Sequence, residues 1–138
     1  MARIKPGGIS DKTKGKAQAI LEGVQEANTE YVVMIDADLQ YSPEDLPLMA
    51  LKLKGSDVVV ANRKKYKDSI VRKALSRVFR TGFGKTLFKL DVDIQSGLKV
   101  FKKEVLNSIS FAPRSPWTFD LEFLRNAREA GFVIASHD

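Results

Sequence analysis

The amino-acid sequence predicts an α/β fold in which helices flank a mostly parallel sheet. Short apolar runs of strand length alternate along the chain with segments whose apolar residues recur at helical spacing. Alternation of this kind is typical of domains in which helices cover a largely parallel sheet. The 138 residues suffice for one domain with one modest core, and a hydrophobic content of 43% is ordinary for a globular protein.

The first part of the chain supplies a helix, a strand, a second helix and a second strand. Helical spacing predicts the first helix over residues 16–28, and the apolar run 32–35 has the pattern of a fully buried strand. Residues 42–45, Ser-Pro-Glu-Asp, form a strong helix start, because serine caps, proline suits the first position and acids favour the positive end. That helix is expected to stop at Gly55, before a second buried strand over 57–61.

Residues 68–90 form a long basic segment whose apolar residues follow a helical period. Gly82 and Gly84 are expected to divide it into two helices, since each glycine costs about 1 kcal/mol relative to alanine in a helix interior. One interpretation is a helix packed on the domain with a solvated basic face. The other is an interfacial helix on an anionic membrane, where each basic residue contributes about 1 kcal/mol.

The last part of the chain predicts two further strands and two further helices. The pattern indicates a short alternating strand over residues 98–101 and a short helix over 103–109. Thr118 can cap a final helix that ends at Gly131, and a last strand follows over 132–135.

The composition excludes several kinds of site. The absence of cysteine rules out disulfides and thiolate metal sites, and the single histidine, His137, argues against a histidine-based triad. No apolar run approaches the ~18 residues needed to span a bilayer. The formal net charge of +6 favours an anionic partner such as a nucleic acid, an acidic membrane surface or a phosphorylated substrate.

The first strand ends in an acidic tip that contains Asp36, Asp38 and Gln40. In open α/β sheets, ligands bind outside the carboxyl ends of the strands. Two carboxylates and an amide at such a place suit Mg²⁺ or Mn²⁺, which commonly bridges to substrate phosphates. The plainer interpretation is that Asp36 caps a turn and Asp38 is solvated, because Asp-x-Asp is common by chance.

Six short motifs follow one another between residues 14 and 136. They are Gly15-Lys16-x-x-Ala19-x-x-x-Gly23, Met34-Ile-Asp-Ala-Asp-Leu-Gln40, Ser42-Pro43-Glu44, Ala61-Asn62-Arg63, Asp93-x-x-Ser96-Gly97 and Phe119-Asp-Leu-Glu122. In order and spacing they resemble family 2 glycosyltransferases, and most of all the dolichol-phosphate mannosyltransferase and polyprenyl-phosphate glycosyltransferase branch. The resemblance implies a GT-A fold, a nucleotide-sugar donor of the GDP-mannose or UDP-glucose type, a divalent cation and inversion at the anomeric carbon.

The resemblance also implies roles for the phosphate-binding residues of the site. Asp36, Asp38 and Gln40 would surround the Mg²⁺ or Mn²⁺ ion that binds the donor diphosphate, which makes Asp38 a catalytic candidate. Arg63 would contact phosphate, and Arg72 or Arg77 of the basic segment could help to hold the acceptor phosphate by charge-assisted hydrogen bonds. These last two residues are proposed from their charge and their place in the amphipathic segment.

Further candidates lie in the second half of the chain. Asp93 would orient the donor sugar or act as a base, and a purely structural turn is the alternative. Ser96, Asp120 and Glu122 would lie near the acceptor or the sugar. Asp120 and Glu122 also fit a simpler role, because acids at a helix N-terminus complement its dipole.

The family pattern begins with strands that are not found before Gly15 in this sequence. We therefore expect residues 1–14 to be a flexible polar lead-in and 15–138 to be the central and C-terminal part of a catalytic domain, with weak or no transferase activity alone. Missing central strands would expose sheet edges and apolar faces, which favours self-association or a partner chain that completes the sheet.

Two other functional classes share some of these sequence features. A phosphatase of the haloacid-dehalogenase type also places Asp-x-Asp after a strand, but Leu39 and Gln40 follow here where that class typically has glycine or threonine-like residues. A noncatalytic basic module that binds acidic lipid or nucleic acid would explain the charge but not the acidic tip. Aromatic-rich sheet and zinc motifs are lacking, so no nucleic acid partner is expected.

The transferase interpretation also predicts binding partners and a location in the cell. The expected partners are a nucleotide-sugar and a polyprenyl or dolichyl phosphate lipid at a membrane surface. The expected location is cytoplasmic, with peripheral attachment to the cytoplasmic face of a membrane.

Overall fold

The computed structural model describes residues 15–38, 40–62, 92–94, 96–109 and 119–138. Four helices and four strands lie in these ranges. They are α1 (Gly15–Glu26), β1 (Tyr31–Ile35), α2 (Leu46–Lys52), β2 (Val58–Ala61), β3 (Leu98–Lys102), α3 (Lys103–Ser108), α4 (Phe119–Glu129) and β4 (Ile134–His137). The predicted lead-in, the basic segment 68–90 and the Thr118 cap lie outside the described residues.

The four described strands form one mixed sheet in the order β1-β3-β2-β4. Strand β3 pairs antiparallel with both β1 and β2, whereas β2 and β4 pair in parallel. The predicted α/β class is confirmed, and β1, β2 and β4 run in one direction. The sheet differs from the mostly parallel expectation because β3 enters in reverse between two of these strands. An apolar strand pattern does not encode direction, which depends on the connections between strands.

The sheet separates two hydrophobic cores. On one face, helices α1, α3 and α4 pack against alternate residues of the strands, and the rings of Phe101 and Phe123 lie 4.9 Å apart between centroids. On the other face, α2 and Tyr41 cover the residues in between. Every residue of β2 is buried, so the prediction of a second buried strand is confirmed.

Strand β1 lies at one edge of the described sheet and is not fully buried as expected. Met34 points into the core beneath α1, whereas Tyr31, Val33 and Ile35 are 42%, 45% and 43% exposed. The reason is that helices cover only one face of this strand among the described residues. An uninterrupted apolar run therefore marked a strand here but not burial on both sides.

The segment that leads into α2 folds as its residues predict. The Ser42 hydroxyl accepts the N–H of Glu44 at 3.4 Å, and a 3₁₀ turn over Pro43–Asp45 continues into the helix. Within α2 only Met49 is buried, while Leu48 and Leu51 lie on its exposed face. A short helix on a sheet presents one face to the core, so its remaining apolar residues stay outside.

The last two strands also depart from their predicted patterns. Residues Leu98 to Phe101 of β3 are all buried, including Lys99, because this strand lies between β1 and β2 with a core on each face. Strand β4 begins at Ile134, two residues later than expected, because Phe132 still bonds back to the end of α4 through the carbonyl of Ala127.

Asp57 joins three strand ends at the edge of the sheet where β2 begins. Its carboxylate accepts Lys102 Nζ at 2.8 Å and the N–H of Val133 at 2.8 Å. The hydrogen bond from Lys102, followed by that from Val133, holds the pKa of Asp57 below its usual range. The start of β2, the end of β3 and the approach to β4 are thereby tied together.

We expect Asp57→Asn to lower the free energy of unfolding by about 1 kcal/mol at pH 7, since it removes the charge that pairs with Lys102. The pKa of Asp57 is lower in the folded state, so its contribution is fully present above about pH 4 and is lost as pH falls through the folded-state pKa. Urea unfolding at pH 7 and at low pH measures both effects. Glu26→Gln, at the exposed end of α1, is the matched control. An equal loss at both pH values would contradict this account.

Candidate functional site

Three strand ends and one strand start meet at a single edge of the sheet. Because β1, β2 and β4 run in one direction, Asp36, Asn62 and Asp138 follow their carboxyl ends at the same edge. The N–H of Asp36 donates to the carbonyl of Gly97 at 2.8 Å, just before β3 begins. The side-chain amide of Asn62 donates to Asp138 Oδ1 at 2.5 Å. This edge is where a ligand crevice is expected in an α/β sheet.

Asp38 and Gln40 lie in the turn that leaves β1. Asp38 Oδ1 accepts the backbone N–H of Gln40 at 3.2 Å, and both side chains are exposed. One carboxylate oxygen of Asp38 thus helps to shape the turn, a role that the plainer interpretation of the motif gave to Asp36, and the Asp38 side chain is exposed as that interpretation expected. The carboxylate remains accessible from solvent on the same short segment as Asp36.

A lysine ammonium already lies between two carboxylates at this edge. Lys16, at the start of α1, donates to Asp36 Oδ1 at 3.1 Å, and its Nζ is 3.9 Å from Asp120 Oδ2. Asp36 follows β1, whereas Asp120 is in the first turn of α4. We call Asp36, Asp38 and Asp120 the acidic edge. We call the Lys16 ammonium the stand-in ammonium, because it supplies a positive charge between two of these carboxylates.

Gly97 sets how closely the loop before β3 can approach Asp36. A Cβ atom at position 97 would lie 2.5 Å from Asp36 Oδ2 and 2.9 Å from Asp36 Cβ, closer than atoms in contact can come. The φ angle of Gly97 is outside the left-handed region, so the requirement for glycine is steric. The Ser96-Gly97 motif therefore has a structural reason that the sequence did not reveal.

Lys99 is a functional candidate that sequence reasoning missed. Its side chain is fully buried, and its ammonium donates to the carbonyl of Ser96 and to Asp120 Oδ1, the latter at 2.8 Å. Burial lowers the pKa of Lys99, and the neighbouring Asp120 carboxylate opposes that shift. The sequence signal is a lysine inside an apolar strand, which the alternating pattern by itself does not distinguish from a solvent-facing residue.

The remaining predicted residues divide into three groups. Asp93 and Ser96 are buried, the N–H of Ser96 donates to the carbonyl of Asp93 at 3.0 Å, and the Ser96 hydroxyl bonds to the backbone of Leu98. This pair therefore forms the turn into β3, and its role near a sugar stays a prediction. Glu122 is half-buried in the first turn of α4. Arg63, Arg72 and Arg77 lie outside the described residues.

The donor set at the acidic edge fits one kind of cation site. In the part of the chain that the structure describes, acidic and histidine side chains do not gather in threes around a metal-sized space. Two carboxylates on one turn, beside an ammonium held by one of them, instead suit an ion that shares its ligands with phosphates and water, which is how Mg²⁺ usually binds. The residues therefore fit a cation that arrives with a phosphorylated ligand.

Comparison with known proteins identifies the family. Residues 9–110 match the family described as glycosyl transferase family 2. The chain belongs to glycosyl transferase family 2. The matched region includes the turn from Asp36 to Asp38 and the Ser96-Gly97 loop, whereas α4 and β4 lie after it in the sequence. Among the described residues, moreover, none of the helices is both long and apolar enough to cross a bilayer.

Curated relatives in this family share part of their length with the chain. It is 29% identical over 102 residues to the undecaprenyl-phosphate 4-deoxy-4-formamido-L-arabinose transferase of Proteus mirabilis (strain HI4320), over 73% of this chain and 31% of that protein. The transferase of the same description from Klebsiella pneumoniae is 28% identical over the same share. The chain thus spans about a third of the length of these curated relatives.

Solved structures share the fold of this family 2 chain. Glucosyl-3-phosphoglycerate synthase from Mycobacterium tuberculosis, in complex with Mn²⁺, uridine diphosphate and phosphoglyceric acid, matches with a TM-score of 0.62 at 22% identity. The match covers 88% of this chain and 43% of that one. A complex of the same enzyme with Mn²⁺ and uridine-diphosphate-glucose gives a TM-score of 0.61 at 21% identity. The GT-A-like α/β fold expected from the motifs is confirmed.

We expect Gly97→Ala to displace the Asp36 carboxylate and to destabilise the protein by about 1–3 kcal/mol, because the added methyl group overpacks the contact. The amide chemical shifts of Asp36 and of the residues next to position 97 report the displacement, and urea unfolding measures the loss of stability. Gly23→Ala is the matched control, since a Cβ there meets no atom within 4 Å and alanine is favoured in a helix. Unmoved Asp36 signals in a folded Gly97→Ala variant would contradict the steric argument.

Proposed function

We propose that this chain is the part of a family 2 glycosyltransferase that binds the diphosphate of a nucleotide-sugar at the acidic edge, for transfer of the sugar to a polyprenyl phosphate. The observation that carries the proposal is the placement of Asp36 and Asp38 where three strand ends meet, with a cation already held by Asp36. The family match and the undecaprenyl-phosphate relatives support the reaction class.

The chemistry of sugar transfer fits these side chains. A divalent cation bound with the donor would supply Lewis acidity that neutralises the leaving nucleoside diphosphate. Asp36 and Asp38 would hold that cation, and the Gln40 amide is the next side-chain oxygen along the chain. Asp120 presents a third carboxylate, beside Lys16, on the side of the edge formed by α4. A lipid phosphate acceptor is already an anion at neutral pH, so its attack needs little help from a base.

The finer assignment is proposed from the motifs and from the charge of the chain. A dolichol-phosphate mannosyltransferase-like or related polyprenyl-phosphate enzyme, with a GDP- or UDP-sugar donor and inversion at the anomeric carbon, agrees best with them. Arg63, Arg72 and Arg77 would bind the phosphates. The basic segment would hold the protein at the cytoplasmic face of a membrane. Among the described residues β1 is an edge strand with an exposed apolar face, which supports completion of the sheet by another strand, from a second copy or a partner chain.

Titration of the protein with Mn²⁺ and UDP or GDP, followed by calorimetry and by amide chemical shifts, tests the proposal. We expect Mn²⁺-dependent nucleotide binding, weakened at least about tenfold by Asp36→Asn or by Asp38→Asn, because each removes a carboxylate ligand. Glu26→Gln is the control and should bind as the wild type does. Equal binding by wild type and both Asp variants would refute the site. Salt-dependent vesicle or DNA binding without any response to Mn²⁺ or nucleotide would favour the basic-module alternative.

The stand-in ammonium leads to a second prediction. Lys16 and a divalent cation compete for Asp36, so Lys16→Met should tighten Mn²⁺ binding in the absence of nucleotide by about two- to fivefold, the worth of a solvent-exposed ion pair. Electron paramagnetic resonance of free Mn²⁺ measures the affinity. Lys52→Met is the control, because the Lys52 ammonium bonds to the carbonyl of Ser136 and pairs with no acidic-edge carboxylate in the described residues. Unchanged affinity in Lys16→Met would show that the ammonium is no competitor.

A further inference from the structure

Burying a lysine completely in the middle of the sheet costs free energy of folding, because the charge loses its contact with water. Lys99 lies in β3 between Met34 of β1 and Val60 of β2, and its side chain has no exposed surface. Lysine is almost never fully buried unless it is paired. Replacing a buried ion pair by well-packed apolar residues is often neutral or stabilising, so stability alone is a poor reason for a lysine here. What its ammonium holds is more informative.

The Lys99 ammonium joins two elements that are distant in the sequence. It donates to the carbonyl of Ser96, in the loop that enters β3, and to Asp120 Oδ1 at 2.8 Å, in the first turn of α4. The first contact fixes the loop from beneath. The second fixes the direction of the Asp120 carboxylate.

Both contacts lead on to Asp36. From Ser96 the next residue is Gly97, whose carbonyl accepts the Asp36 N–H at 2.8 Å and whose lack of a Cβ leaves the space that the Asp36 carboxylate occupies. From Asp120, the other carboxylate oxygen lies 3.9 Å from Lys16 Nζ, which also bonds to Asp36 Oδ1. The buried lysine is therefore connected to Asp36 by two independent routes, one through the backbone and one through charge.

Lys99 also offsets like charges. Asp36 and Asp120 both contact one ammonium at the surface, so two negative charges lie close enough to repel each other. A positive charge beneath them, which cannot move away because it is buried, reduces this repulsion. Burial lowers the pKa of Lys99, and the interactions with Asp120 and Asp36 oppose that shift.

We propose that Lys99 is a positioning residue, whose buried ammonium holds the Ser96-Gly97 loop and Asp120 and thereby sets where Asp36 lies at the acidic edge. The consequence for ligand binding rests on the proposed function, in which Asp36 holds the cation of the donor. The effect of Lys99 on the placement of Asp36 and Asp120 does not depend on the proposed function.

The test compares Lys99→Met, which keeps the length of the side chain, with Lys102→Met on the same strand. Lys102 lies at the opposite end of β3 and pairs with Asp57, so its loss should lower stability and leave the acidic edge unchanged. For Lys99→Met we expect shifted amide signals of Asp36, Gly97 and Asp120 and Mn²⁺ binding about tenfold weaker, measured where each variant is folded. The Mn²⁺ effects of Lys99→Met and Asp120→Asn should be less than additive, because both act through the same contact.

The outcomes separate this inference from the proposed function. A folded Lys99→Met variant with unmoved Asp36 signals and wild-type Mn²⁺ affinity overturns the inference, even if nucleotide binding is intact. If the wild type itself fails to bind Mn²⁺ together with UDP or GDP, the proposed function fails, and the amide shifts alone decide the role of Lys99. If Lys99→Met does not fold, the double variant Lys99→Met/Asp120→Asn, which leaves no unpaired carboxylate, takes its place in the comparison of Asp36 and Gly97 signals.

Discussion

The reversed insertion of β3 between β1 and β2 is the constraint on which the candidate site depends. It brings the start of β3 to the edge where β1 and β2 end, so the Ser96-Gly97 loop lies directly beside Asp36. A parallel β3 would place its first residues at the opposite edge. The hydrogen bond from the Asp36 N–H to Gly97 and the steric need for glycine both follow from this reversal. The acidic tip is thus shaped by a segment that lies far from it in the sequence.

The two faces of the sheet have different functions in this arrangement. The face beneath α1, α3 and α4 contains the larger core and also the charged contacts, because the first turns of α1 and α4 carry Lys16 and Asp120 over the end of β1. Among the described residues, the face beneath α2 buries apolar side chains over β2 and β3. At β1 that second face has no cover among the described residues, which leaves an apolar strip at the open edge of the sheet.

Local signals in the sequence predicted local structure well. The Ser42 cap, the buried strand β2 and the acidic tip after β1 all depend on residues within a few positions of one another, and each is found where expected. Burial was predicted less well. The apolar run of β1 lies at an edge, and the alternating pattern of β3 belongs to a strand with cores on both faces, because neighbouring strands and helices decide exposure. Lys99 was missed for the same reason.

The sequence by itself determined the class of the fold, the family and the identities of the acidic residues at the end of the first strand. These depend on local periodicity and on short motifs, which involve residues that are close together in the sequence. Only the tertiary structure decided that β3 runs in reverse, that Lys16 joins Asp36 to Asp120 and that Lys99 supports them from below. Those contacts join residues that are 20 or more positions apart, and no local propensity encodes which distant charges will meet.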